Sequence, residues 1–392
     1  MIELLAPAGD LEKLKIAILY GANAVFIGGV KFSLRSRASN FTLKDIEEGC
    51  RFAHQHNAKV HVTCNIVMHE IDIEGIIEYL KDLEEAGVDA IIASSPSILK
   101  LVIKHTKMEA HVSTQASVTN QEAIAFYKEL GVHRVVLGRE LTLRELEILC
   151  DKKTVALEVF IHGGMCTSYS GRCMLSNIMT NRDANRGGCA HSCRWNYDLY
   201  YKNNKLNPEK DYFAMSSKDL CAIRVIPKLV SLGIDSFKIE GRMKSLHYIA
   251  TIVKTYRMLL DDLEQNSLKD FSYYEEKIAR AENRPTSTGF LLGMPTIQEQ
   301  LYDLDQTIPS KDFVGIVLDY GFKTKKATVE QRNHFVPYSS LEVFGPNHNE
   351  IINITEIYNE KNESLDAARH ARQIIIFYTD FPLEKNDLLR LN

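Results

Sequence analysis

Residues 2–29 read IELLAPAGDLEKLKIAILYGANAVFIGG, and how they fold decides the architecture. Two short apolar runs, IELLAPA (2–8) and AVFIGG (24–29), flank DLEKLKIAILYGA, whose apolar side chains recur at helical spacing and stop at Gly21. A strand, a helix and a second strand in so short a span form the unit from which parallel sheets are built. The PAGD between strand and helix lacks the G-x-G-x-x-G order with which an open dinucleotide-binding sheet holds a pyrophosphate.

The unit repeats downstream. KVHVTCNIV (59–67), AIIAS (90–94), EAHVSTQA (109–116), RVVLG (134–138), VALEVFIHG (155–163) and SFKIEG (236–241) bring the candidate strands to eight. Helical patterns such as TLKDIEEGCRFAHQHN and NQEAIAFYKELG lie between them, and Gly21, Asn57, Gly87, Gly131 and Gly233 stand where a left-handed residue would close a helix. Eight such units in about 250 residues predict an α/β fold, a (β/α)8 TIM-like barrel over residues 1–265. The regular spacing breaks once, after strand seven, in a cysteine-rich insertion at 162–216. Residues 266–310 lose periodicity and predict a connector with local helix. VGIVLDY, KKATVEQ, LEVFG, IINITEIYN, QIIIFYT and DLLRLN then predict a small all-β barrel domain over 311–392.

Of the 392 residues, 45% are hydrophobic and 25% charged, which sets disorder aside as the main organisation. The net charge of −4 excludes a global basic field drawing the chain to nucleic acid or membrane, though local basic patches stay open. No apolar run reaches the ~18 residues of a membrane span and MIELLAPAGD lacks the order of a secretory signal, so a soluble, cytoplasmic protein without a membrane partner is expected. Cytosolic thiols are kept reduced, so eight cysteines point to metal or catalysis rather than disulfides.

Cys166, Cys173, Cys189 and Cys193 fall within 28 residues at spacings of x6, x15 and x3, and Cys221 follows after x27. Thiolates converging from loops suit either tetrahedral zinc, with His191 a possible nitrogen ligand, or an iron-sulfur cluster. Glycines 163, 164, 171, 187 and 188 let backbone NH groups approach a sulfur-rich anion, which favours the cluster. Cys50, Cys64 and Cys150 read as packing residues.

Glu158, Phe160, Gly163, Met165, Cys166, Gly171, Cys173, Leu175 and Ser176 resemble the signature E-x-F-x-x-G-[SA]-[LIVM]-C-x4-G-x-C-x-[LIVM]-S of the collagenase-like peptidases (peptidase family U, number thirty-two), with Gly164 the one departure. The opening LLAPAGDLEKLKIAILYGANAVFIGG, Cys193–Trp195, SSKDLC (216–221) and FKIEGRMKS (237–245) extend the likeness over the whole predicted barrel, and within the family it is strongest to the tRNA 5-hydroxyuridine hydroxylation branch. The resemblance implies oxygen-independent hydroxylation of a tRNA wobble uridine; other branches act on a ribosomal RNA cytidine or a quinone precursor. It further implies a four-iron, four-sulfur (4Fe-4S) cluster on Cys166, Cys173, Cys189 and Cys221, with Cys193 as the alternative ligand. Prephenate is implied as a co-substrate, and tRNA as partner beside a possible paralogous protein; the oligomeric state is left open. The older family name implies a peptidase.

Beyond the thiols, Glu240, Arg242 and Lys244 follow strand eight at the catalytic end, where a carboxylate between cations stays ionised and the cations can receive a carboxylate or phosphate. A surface ion pair at a helix start would look the same. His162, ending strand seven, is a candidate for proton transfer, or merely closes the strand. His111 and Gln115, sharing a face of strand five with Ser113, and Asn65 after strand three are candidate substrate contacts or members of a buried network. Arg35, Arg37, Arg182, Arg186, Arg194 and Trp195 could meet an RNA loop. For proteolysis there is neither G-x-S-x-G nor H-E-x-x-H, and a Cys166–His162 pair lacks a third, orienting group. A hydrolase with a zinc or cysteine site, and a metal that only staples the insertion, remain the competing readings.

Overall fold

The computed structural model describes residues 2–33, 41–208, 212–281, 284–301 and 312–392. Strands β1 (Glu3–Pro7), β2 (Ala24–Gly28), β3 (Lys59–Thr63), β4 (Ala90–Ala93), β5 (Glu109–Val112), β6 (Arg134–Val136), β7 (Ala156–Gly163) and β8 (Ser236–Ile239) pair in parallel in chain order. β8 pairs with both β7 and β1, so the sheet closes into an eight-stranded barrel.

Alternation along the strands explains the two-sided core. Leu4, Ala6, Val25, Ile27, Ile91 and Ala93 pack outward into the helical layer, while Leu5, Phe26 and Ile92 form a separate cluster inside. The outer ring is built from α1 (Leu11–Leu19), α2 (Leu43–Gln55), α3 (Ile76–Glu85), α4 (Pro96–His105), α5 (Gln121–Leu130) and α6 (Leu143–Asp151). Asp10 caps α1 by accepting from the Lys13 amide, and Thr42 with Asp45 and Thr142 with Glu145 form capping boxes on α2 and α6. Gly21, Asn57, Gly87, Gly131 and Gly233 all have positive φ, as the helix-closing pattern predicted.

Strand five is shorter than its sequence suggested. Pairing stops at Val112, and Thr114–Ala116 form a 3-10 turn in which the Ser113 hydroxyl accepts from the Gln115 amide. A local side-chain bond here outcompetes the ladder. The face shared by His111 and Gln115 therefore does not exist: His111 lies within β5 and Gln115 on the turn above it.

The lower half of the barrel interior is polar. Glu158 accepts from Lys238 and from Arg134, each at 2.9 Å, and Arg134 also pairs with Glu3. Burial opposes ionisation of Glu158, but the Lys238 and Arg134 charges outweigh it and hold the carboxyl at about 2. His111 belongs to this layer, bonded to Glu109 at 2.8 Å and edge-on to His61 at 4.9 Å between ring centres.

The segment predicted as a connector turns back on the barrel. α8 (Ile226–Ser231) precedes β8, α9 (Leu246–Glu264) follows it, and α10 (Phe271–Ala279) packs on α9. Thr286–Ser287 then run beside Asp219–Leu220, and Gln300–Leu301 pair with Ser216–Ser217. The tail is an antiparallel sheet of eight strands with its own core, including Val317, Val329, Leu341, Val343 and Phe377. It docks on the barrel where the Tyr20 hydroxyl meets the Phe344 and Asn386 carbonyls and the Arg390 guanidinium stacks on the Phe344 ring. Among the described residues no helix is long and apolar enough to cross a membrane.

Candidate functional site

The insertion begins where β7 runs out. Gly163 has φ +104°, and a Cβ there would lie 2.3 Å from the Glu240 carbonyl oxygen, so only glycine lets the chain pass beneath the loop leaving β8. The chain continues through the turn Tyr169–Gly171, helix α7 (Leu175–Thr180), the turns Ala184–Arg186 and Ser192–Arg194, and a hairpin of Tyr200–Tyr201 with Asn204–Lys205. It returns as Asp219–Cys221, antiparallel to the end of β7 with Cys221 opposite His162. Arg186 clamps the insertion to the loop after β3 through Asp72 and the Val67 carbonyl.

Between this loop and the C-terminal ends of the strands lies a cavity of about 440 Å³. Phe26, Ile92 and Phe160 give it an apolar floor. Lys238 lies there too, its ammonium 4.5 Å from the Phe26 ring centre and 5.5 Å from that of Phe160, with Glu158 beneath. The walls carry Cys166, Cys189 and Cys193, together with Arg139, Arg194, Arg242, Lys244, Arg284 and the carboxylate of Glu240. So many cations around one carboxylate suit an anionic ligand.

Short bonds fix three of these cations. Arg242 donates to the Ser33 hydroxyl at 2.8 Å and crosses Gly28 so closely that a Cβ would stand 2.3 Å from its Nη1. Arg139 donates to the Gly164 carbonyl at 2.8 Å and stacks on Phe160. Arg284 reaches Asp219 and the Ser216 hydroxyl, both at 2.6 Å, while Lys244 lies 3.5 Å from Asp219.

Four thiols converge on one side. Burial pushes the Cys193 thiol up, and the neighbouring Cys166, Cys189 and Cys173 push it further. The Leu175 amide donates to the Cys173 sulfur at 3.3 Å, and the Ser168 hydroxyl lies 3.0 Å from the Cys166 sulfur. Asn185 holds the Cys173 backbone at both its amide and its carbonyl. Cys221 has other company. Its burial works against the thiolate, but hydrogen bonding to His162 and Tyr256 more than offsets this and draws its pKa down. Burial pushes Cys50 and Cys64 up to about 12, as suits packing thiols.

Of the residues singled out from sequence, Asn65, Gln115, Glu240, Arg242, Lys244, Cys166, Cys189 and Cys193 line the cavity. His162 does not. A bulge sets Phe160 and His162 against the consecutive Lys238 and Ile239, which turns the imidazole outward, 3.2 Å from the Tyr256 hydroxyl of α9. His111 sits a layer below, with Glu109. Arg35 and Arg37 lie outside the described residues. Sequence reasoning missed Arg139, Lys238 and Arg284. A lysine inside the apolar SFKIEG and an arginine just past strand six were available signals, whereas nothing local marks Arg284.

The model of "Peptidase family U32" matches residues 9–301, and that of its C-terminal domain residues 309–390. The "tRNA hydroxylation protein P1" of Bacillus subtilis is 46% identical over 401 residues, covering 99% of this chain and 94% of that protein. The "23S rRNA 5-hydroxycytidine C2501 synthase" of Escherichia coli is 40% identical, over 66% of this chain and 39% of its own length. A "Collagenase" of Porphyromonas gingivalis is 32% identical, over 74% of this chain and 73% of its own. With its barrel, its cysteine loop and its C-terminal sheet all matched, the chain belongs to peptidase family U32.

Proposed function

We propose that the protein is an RNA-hydroxylating enzyme that forms 5-hydroxyuridine at a tRNA wobble position, with a 4Fe-4S cluster on Cys166, Cys173, Cys189 and Cys193. The observation that carries this reading is the shared cavity: three of the thiols and the guanidinium groups of Arg139, Arg242 and Arg284, each held by a short bond, face one space above the barrel strands. Relatives named for tRNA hydroxylation and for 5-hydroxycytidine synthesis supply the reaction class. Thiols carried on several turns of a glycine-rich loop suit a 4Fe-4S cluster, which when bound would supply one-electron redox chemistry.

The chain's own residues would bind and orient. Arg242, Arg139 and Arg284 present guanidinium forks to RNA phosphate or to the carboxylates of prephenate, the co-substrate that the family resemblance suggests. Glu240 is the carboxylate on the wall and the candidate for moving a proton.

Nucleoside mass spectrometry of tRNA from a deletion strain, complemented with wild type or Arg242→Ala, tests the substrate. Loss of 5-hydroxyuridine and its derivatives, restored only by wild type, is the expected result; an unchanged profile would refute it. The peptidase reading has one observation in its favour, the Cys221–His162 pair with its lowered thiol pKa. Yet His162 is fully buried and neither residue lines the cavity, so gelatin cleavage lost on Cys221→Ala is what that reading would need.

A further inference from the structure

Gln115, a residue lining the cavity, ends in a buried, unsatisfied acceptor. The residue is only 7% exposed, lines the cavity, and its Oε1 is enclosed without a hydrogen-bond partner. A buried acceptor without a donor costs stability unless something supplies one. Its backbone is held on both sides: the Ser113 hydroxyl caps the turn, and the Arg172 Nε donates to the Gln115 carbonyl at 2.6 Å. Arg172 and Gly171 lie between Cys166 and Cys173, and a Cβ at Gly171 would stand 3.7 Å from the Gln115 Cγ. The residue is therefore anchored beside the loop that carries two of the thiols.

The space beside it is both apolar and cationic. Phe26, Ile92 and Phe160 offer an apolar surface shared with the Lys238 ammonium beside the Phe26 and Phe160 rings and the Arg139 guanidinium on Phe160, and Arg242 and Lys244 add positive charge around it. An aromatic ring carrying a phosphate fits both halves, and a cavity of this size lies in the usual range for small ligands. A base reaches such a site only after leaving its stack, and enzymes that act on base carbons take it out in this way. A primary amide pairs an acceptor with a donor, which matches the N3–H and O4 of uracil side by side.

We propose that the cavity floor binds one unstacked pyrimidine and that Gln115 reads its N3 edge, Oε1 accepting from N3–H and Nε2 donating to O4. The inference rests on the RNA reading above and adds the seat of the base and the residue that specifies it.

The test is a binding cycle with the full chain purified anaerobically. Two anticodon stem–loop RNAs, one carrying a single loop uridine and one carrying 3-methyluridine there, are titrated against wild type, Gln115→Ala and the shape-preserving Gln115→Met. For wild type, N3 methylation is expected to weaken binding at least about tenfold, because it removes the donor to Oε1. Both variants are expected to bind the two RNAs equally while melting near the wild-type temperature. Variants that keep the full discrimination, or a wild type blind to methylation, would overturn the assignment of Gln115. A wild type that binds neither RNA would instead overturn the RNA reading on which it stands.

Discussion

Glu158 is fully enclosed yet charged, because Lys238 and Arg134 both bond to it. Glu158→Ala leaves the buried Lys238 without its carboxylate and Arg134 with Glu3 alone, and a loss of about 3–5 kcal/mol in urea unfolding is expected. The same pairing sets an acid limit. The folded carboxyl titrates at about 2, below its ordinary 4.5, so its contribution is complete above pH 4.5 and is lost as pH falls through about 2. Wild-type stability followed by circular dichroism should decline over that window, and Glu158→Gln should flatten the decline. Gly28 makes a second residue-scale case. Its missing Cβ leaves room for the Arg242 guanidinium, so Gly28→Ala should displace the cation and cut RNA hydroxylation while the barrel still folds, as a thermal melt can verify. Gly163 was legible in the sequence as part of a glycine-rich loop, but the need for it is tertiary, since the obstructing atom is the carbonyl of Glu240.

At the scale of elements, the insertion decides which thiols meet. Cys193 neighbours Cys166, Cys173 and Cys189 electrostatically, whereas Cys221 returns on a strand facing His162. Iron and sulfide content after anaerobic purification should therefore fall steeply in Cys193→Ser and stay near wild type in Cys221→Ser. The reverse order would assign the fourth ligand to Cys221. The bulge in β7 is also an element-scale feature. Strict alternation with Glu158 and Phe160 would place His162 on their inner face, and an extra residue opposite β8 turns it toward Tyr256 instead. Bulges depend on the partner strand, so the strand's own sequence does not announce them.

Across the whole molecule, segments far apart in the chain complete one site. Arg284 reaches the cavity because the stretch after α10 pairs back onto Asp219–Cys221, and it is anchored on Asp219 and Ser216. The tail is joined to α1 and α9 by polar contacts at Tyr20 and by Lys254, whose ammonium donates to the His348 carbonyl at 3.1 Å. Tyr20→Phe removes buried hydrogen bonds worth about 1 kcal/mol net, and calorimetry should show the melting temperature lowered with the barrel core unaltered.

The sequence by itself determined the βα alternation, the eight strands, the left-handed helix ends, the cysteine-rich interruption and the all-β tail. Each of these rests on local periodicity or on a single residue's backbone preference. Tertiary structure decided what faces what: which thiols converge, that Lys238 lies at the cavity floor above Glu158, that His162 turns away, and that Arg284 joins the site. Those outcomes depend on barrel closure, on strand register and on a chain segment folding back, and side chains brought together in that way leave no pattern along the sequence.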